Sequence, residues 1–293
     1  MAKIYGVNLG NKEAEYKPLS DRFGKKSDKV KRIVLNIEKM YESAKNKTNE
    51  IPVKPMKIKD GLVDIRGGLL HHRCTSQIEG LEGIAQRGVL ASEWFGFVES
   101  EREAILCAFL SRWNTEEQER KFKIVGPNSN KQKLGGIDRN SVILFFDESH
   151  PAMKSLVHMD YFEYEKVKAI DSEKLSEYTP EQKEVLDFIE ANSRDSAKKF
   201  HLDETNSTIN WLAIPGGIPS KLINGVCVRG MKCNDDYIKK LHELFPNATI
   251  FNGSRQVLYN PELLQFTTIE ELKTNVMQVD NTSEKNDDEE LQL

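Results

Sequence analysis

Between Leu69 and Leu90 two periodicities meet, and the simplest way to satisfy both is to lay a helix against a sheet. Gly68 to His71 reads as the end of a strand, and Ile78, Leu81, Ile84 and Ala85 recur behind it at helical spacing. Ser76 is placed to cap that helix, with Glu79 three residues on to complete a capping box and Gly88 to stop it in a left-handed conformation. The polar run His71-His72-Arg73-Cys74-Thr75-Ser76 is then predicted at the junction of strand and helix.

Beyond this unit, apolar β-rich runs alternate with helices. Strands are predicted at 141–146, 162–170, 211–214, 225–229 and 248–251, and at 106–111 strand and helix both remain open. Thr179-Pro180-Glu181-Gln182 supplies a cap, a proline at the first helical position and an N3 glutamine ahead of Val185, Leu186, Phe188 and Ile189. Asn234-Asp235-Asp236 opens another helix, with two negative charges at its positive end, and Pro246 closes it. The pattern predicts a mixed α+β domain of roughly 200 residues.

The two ends of the chain differ in character. Val30, Ile33, Val34, Ile37, Met40 and Tyr41 predict one amphipathic helix from Asp28 to about Ala44, with many lysines on its polar face. Residues 46–57, polar and holding Pro52 and Pro55, read as a linker. From about Met277 the chain is acidic and almost without aromatic residues, which predicts disorder. The formal net charge of −4 does not mark a polyanion binder in bulk. No run approaches the roughly 20 apolar residues of a membrane span, and the first residues lack the apolar core of a signal peptide. The four cysteines form no CxxC pair, so a cytoplasmic protein with free thiols and no structural metal is expected.

A strand end facing the positive end of a helix favours an anion, so His72, Arg73, Thr75 and Ser76 are candidate ligand contacts. Arginine forks onto phosphate oxygens, while hydroxyls and backbone amides complete such a cradle. The following segment, 91–103, packs Trp94, Phe95 and Phe97 among four carboxylates, including Glu99 and Glu101. Aromatic faces hold planar rings, and a carboxylate stabilises developing positive charge. The same residues serve equally as a cap, a surface ion pair and core aromatics.

Three blocks resemble the ADP-ribosyltransferase superfamily, in particular the DarT-like toxins that modify nucleic acid with NAD: residues 70–90, residues 141–146 with His150-Pro151-Ala152-Met153, and residues 211–226. The resemblance implies a split β-sheet core over 58–262, with 1–57 a basic helical extension and linker and 263–293 an acidic tail. It implies that His71 or His72, with Thr75 or Ser76, contacts the nicotinamide and ribose of NAD. It also implies that the strand ending at Phe146 lines the nicotinamide pocket and that Tyr161 stacks on the ring. Arg73 is the choice for the pyrophosphate, with Arg87, Arg102 and Arg112 as alternates. The family's late glutamate normally precedes the third block, where this chain has Ile209-Asn210-Trp211. Asparagine is no base at neutral pH. Glu101 is therefore the candidate replacement, ahead of Glu99 and Glu204.

The resemblance thus implies an NAD-consuming transferase acting on nucleic acid or protein, of the toxin or defence-effector kind. A non-catalytic nucleotide or nucleic-acid binding module on the same fold and a protein-interaction scaffold are the alternatives. An RNA 2′-phosphotransferase should show further arginines in its phosphate pocket, and spacing does not locate them.

Overall fold

The computed structural model describes residues 3–4, 7–8, 16–65, 69–75, 77–91, 94, 106–112, 141–157, 159–162, 166–167, 176–196, 210–228, 234–267 and 271. The chain opens with a small hairpin of β1 (Lys3–Ile4) and β2 (Val7–Asn8), then α1 (Leu19–Phe23) and the long α2 (Asp28–Glu50). A second hairpin, β3 (Ile58–Lys59) and β4 (Leu62–Val63), precedes β5 (Leu70–Thr75), α3 (Ile78–Arg87) and β6 (Val89–Leu90). Next come β7 (Cys107–Arg112), β8 (Ser141–Phe146), β9 (Met159–Phe162), β10 (Lys166–Val167) and α4 (Pro180–Ser196). The last third holds β11 (Asn210–Pro215), β12 (Gly217–Ile218), β13 (Ile223–Val228), α5 (Asp235–Leu244), β14 (Thr249–Asn252), β15 (Val257–Asn260) and β16 (Gln265–Phe266).

Ten of these strands form one mostly antiparallel sheet in the order β10-β9-β11-β7-β5-β8-β13-β14-β15-β16. Among the described strands only β13 and β14 run parallel, with α5 as the crossover between them. The protein is therefore a mixed α+β fold. No helix among the described residues is long and apolar enough to cross a membrane.

Alternation along the strands gives the sheet two buried faces. On one, Leu70, Leu110, Leu144, Leu212, Ile214 and Val226 share a core with Leu81 of α3 and with Ile238 and Leu241 of α5. On the other, Ile143, Phe145, Cys227 and Phe251 pack under Met56, Val63 and Ile65 of the β3–β4 region. Further along this second face, Cys107 and Ala213 join a cluster with Ile33 and Ile37 of α2 and Val185 and Ile189 of α4. The N-terminal helix thus shares its core with the sheet. It also runs past the expected end at Ala44 to Glu50, because Ala44 and Thr48 continue its buried stripe. The ladder likewise extends to Phe266.

The expected capping chemistry forms at two helices. Thr179 and Gln182 bond reciprocally, backbone to side chain, at 2.9 and 3.3 Å. Asn234 Oδ1 accepts the Tyr237 amide at 2.8 Å, and α5 gives way at Phe245, before Pro246. Gln182 does more than cap, since its buried amide also donates to the Lys154 and Ser155 carbonyls. It thereby ties α4 to the turn after β8.

At β5 the expectation fails in an informative way. The polar run does not sit at a junction: His71 to Thr75 are strand, paired residue by residue with Phe145 to Ser141 of β8. Those rungs satisfy the backbone and carry the strand through the polar run to Thr75. Helix α3 starts at Ile78 with Gln77 at its N-cap and no cap bond from the Gln77 side chain, and the Ser76 half of the expected capping box lies outside the described residues. Gly88 does end the helix, at φ +89°. The strand expected over 162–170 is replaced by β9 and β10, which pair as Lys166 with Phe162 and Val167 with Tyr161. The segment 106–111, open between strand and helix, is strand from Cys107, within β7 (Cys107–Arg112).

Glycine permits close approach of the layers at several positions, Gly88 and Gly216 among them. A Cβ on Gly88 would overlap the Ile218 carbonyl oxygen and come within 2.8 Å of the Ser220 nitrogen. Gly216, at φ +77°, lies against Ile37 of α2. Its peptide is also a hub: its oxygen accepts from Trp94 Nε1 at 2.7 Å and from the Ala91 amide at 3.1 Å, and its nitrogen donates to the Leu106 oxygen at 2.7 Å. The Pro215–Pro219 turn is accordingly a structural connection.

Candidate functional site

Strand β5 is the seam of the sheet. It pairs with β8 through five residues and with β7 through only two, Leu70 with Arg112 and His71 with Ser111. Beyond His71 the β5–β7 ladder stops, although β7 continues its pairing with β11 to Pro215 opposite Cys107. His71 is thus the last residue that joins the two halves of the sheet.

Rung by rung, the residues level with His71 form one row. It runs Val167, Tyr161, Trp211, Ser111, His71, Phe145, Gly225 and Thr249. Cross-strand partners share a row, so Tyr161 and His71 are level, with β11 and β7 between their strands. No residue of this row is a carboxylate.

The His71 ring is 3 % exposed and rests against Phe145, with centroids 5.8 Å apart. Its Nδ1 lies 3.2 Å from the Leu69 carbonyl oxygen. That oxygen only accepts, so Nδ1 carries the proton and Nε2 is the ring's acceptor. Burial pulls the imidazole pKa down to about 3, aided by the Arg73 and His72 charges and opposed by the Leu69 bond. The ring is therefore neutral at physiological pH and suited to a hydroxyl donor rather than to an anion.

Arg73, two residues along the same strand and hence on the face of His71, is exposed. One face of β5 thus carries an exposed permanent charge at Arg73 and a buried neutral ring at His71. Cys74 adds no nucleophile: burial pushes its thiol up to about 12, and its Sγ lies 3.5 Å from the Val142 oxygen.

Other candidates are not brought together with His71. His72 is buried on the opposite face, in the phase of Leu70 and Cys74. Phe146, 2 % exposed, lies in the core on that same opposite face, whereas its neighbour Phe145 touches His71. Thr75 pairs with Ser141 at the far end of β5. Asn210 pairs with Arg112, whose other partner is Leu70, one residue out of phase with His71. The Arg87 guanidinium lies 5.0 Å over the Tyr16 ring, and its carbonyl accepts from the Tyr41 hydroxyl. Trp94 is core, stacked on Tyr16 at 5.5 Å. Ser76, Glu99, Glu101, Arg102 and Glu204 lie outside the described residues. Phe145, which lies against the His71 ring, was not among the candidates from sequence, because its signal is register, which local periodicity does not contain.

The neutral state of His71 has a measurable consequence. An unfolded histidine titrates near 6.5, so below that pH the unfolded chain binds a proton that the native ring refuses. Stability is full above about pH 6.5 and falls by about 1.4 kcal/mol per pH unit from this residue alone as the pH drops toward 3. Urea midpoints at pH 7.5, 6 and 5 should show this slope, and His71→Gln should flatten it. Parallel slopes in the two proteins would contradict the assignment.

No protein-family model matches the chain and no curated protein matches it, which leaves the seam at β5 and the chemistry of the His71 row to carry the functional argument.

Proposed function

We propose that this chain is an NAD-dependent ADP-ribosyltransferase that binds NAD against the seam of its sheet and transfers ADP-ribose to nucleic acid or protein, in the manner of a toxin or defence effector. The observation that carries the reading is the pairing of a buried neutral acceptor, His71, with an exposed cation, Arg73, where the two half-sheets part. A ribose presents hydroxyls and a pyrophosphate presents anionic oxygens at that scale. The hydroxyl donates to His71 Nε2, and the guanidinium meets the pyrophosphate. A sheet joined across its middle by two rungs supports the split core that the family resemblance implies. In the reaction, the bond from ribose C1′ to nicotinamide breaks, nicotinamide leaves with the electron pair, and an acceptor oxygen or nitrogen bonds to C1′ and sheds its proton.

A second reading, a module that binds the nucleotide without transfer, is favoured by one observation. The His71 row lacks a carboxylate, and β11 begins with Asn210 where the family carries glutamate. Incubation of the full chain with labelled NAD and a mixture of DNA, RNA and lysate separates the two. Label on an acceptor with release of nicotinamide is the outcome expected of the transferase. Saturable NAD binding with neither product would leave the module, and no binding would reject both.

A further inference from the structure

We infer that residues 51–65 form a strap that shuts the His71 row, and that a nucleotide reaches this row only when the strap lifts. The inference rests on the reading that a nucleotide binds there, and it names how that site is gated.

Two different covers lie on the second face of the sheet. Over β7 and β11 lie α2 and α4, whose Ile33, Ile37, Val185 and Ile189 share a cluster with Cys107 and Ala213. Over β8, β13 and β14 lies the strap, through Met56, Val63 and Ile65. The strap's cluster includes Phe145, the ring against which His71 rests. Met56 also fits a notch in the row itself. Gly225, next to Phe145 along the row, has no side chain, and the Met56 Sδ lies 2.0 Å from where its Cβ would stand. Met56 thus plugs the surface of the row beside Phe145.

Of the two covers, the strap is the one built to move. The helices are 23 and 17 residues long and are joined by the Arg32–Glu184 ion pair. In the strap, β3 and β4 have two residues each, and Lys57, Ile58, Lys59 and Asp60 are exposed. Its far end meets the sheet through the Leu62–Gln256 bridge and the Val63 amide, which donates to the Arg255 oxygen at 2.9 Å. Its near end is gripped by three side chains from the ends of β8 and β13. Asp147 Oδ2 accepts the Lys54 amide at 3.1 Å, and Asn224 Nδ2 donates to the Lys54 oxygen at 3.1 Å. His150 Nδ1 accepts from the Ala152 amide, so its Nε2 carries the proton and donates to the Ile51 oxygen at 3.0 Å. Water can replace each of these bonds as the strap lifts. A segment with few buried side chains and a solvent-facing backbone opens at lower free energy than the helices and central strands around it. With the row shut at rest, the apparent affinity is the intrinsic affinity scaled by the open fraction.

Leu62 and Gln256 face each other across an antiparallel bridge, a spacing that a disulfide spans. NAD binding is measured by calorimetry on the full-length wild type, on Met56→Ala, and on the double variant Leu62→Cys/Gln256→Cys before and after reduction. Hydrogen exchange of the NAD-free wild type reads the opening itself. The Lys54, Val63 and Asp64 amides, bonded to Asp147, Arg255 and Lys57, should exchange together and faster than those of Ile143 and Leu144 in β8. Met56→Ala should tighten NAD binding by at least about tenfold, because the lost packing favours the open strap. The oxidised double variant should bind NAD at least about tenfold more weakly than its reduced form. Strap amides that exchange as slowly as those of β8, equal affinity in the oxidised and reduced forms, or a folded Met56→Ala protein that binds no tighter than wild type would each overturn the inference while leaving the NAD reading in place. Absence of NAD binding by both the wild type and Met56→Ala would remove that reading and the inference together.

Discussion

Replacement of Gly88 by alanine is expected to cost the fold at least ~3 kcal/mol. Two penalties add. The residue sits at φ +89°, where a Cβ is strained whatever the space around it. The added methyl would also overlap the Ile218 carbonyl oxygen and crowd Ser220 N and Pro219 Cα at 2.8 and 2.9 Å, all backbone atoms that cannot rotate away. Relief requires parting α3 from the β12 segment, and with it the β6–β12 pairing of Val89 with Ile218. Gly83, five residues earlier in the same helix, is the control. A Cβ there meets nothing within 4 Å, so Gly83→Ala should stabilise by about 0.5–1 kcal/mol through helix propensity. Urea midpoints of the two variants moving in opposite directions would agree with this account. A Gly88→Ala protein within 1 kcal/mol of wild type would refute the close approach.

The second large effect is on ligand binding. Arg73 is exposed, so its truncation should change stability by no more than about 0.5 kcal/mol. If it meets the pyrophosphate, Arg73→Ala removes a charge-assisted contact worth about 1.5–3 kcal/mol, or roughly 10- to 150-fold in NAD affinity. Lysine should restore only part of this, because it keeps the charge and loses the fork. Full NAD affinity in a folded Arg73→Ala protein would remove this residue from the site.

How much of the molecule could be read from its sequence depended on whether the signal was local. Thr179, Pro180 and Gln182 lie within four residues, and the cap they spell is the cap that forms. The run 141–146 is continuous and apolar, and it is β8 to the residue. The polar run after Leu70 misled because its strand is specified by β8, some seventy residues downstream, through rungs that no local pattern reports. The same non-locality separates Phe145 from Phe146, which are adjacent in sequence, and only the register assigns Phe145 to the face of His71. His71 and Arg73 were legible as candidates because they belong to a polar run, His71 to Ser76, that follows directly on the apolar Leu69-Leu70. Their division into neutral acceptor and exposed cation was not legible, since burial is a property of the assembled sheet.

The central claim is that a nucleotide binds where the sheet parts at His71, and the histidine side chains themselves report on it. The chain has six histidines, few enough to assign their ring nitrogens by NMR in protein labelled at histidine. At neutral pH the His71 ring should show the neutral form protonated at Nδ1. Addition of NAD should shift its Nε2 resonance while leaving those of His150 and His242 in place, since these lie in the turn after β8 and on α5. NAD binding that moves His242 or His150 and leaves His71 unchanged, or no response from any histidine at saturating NAD, would contradict the account.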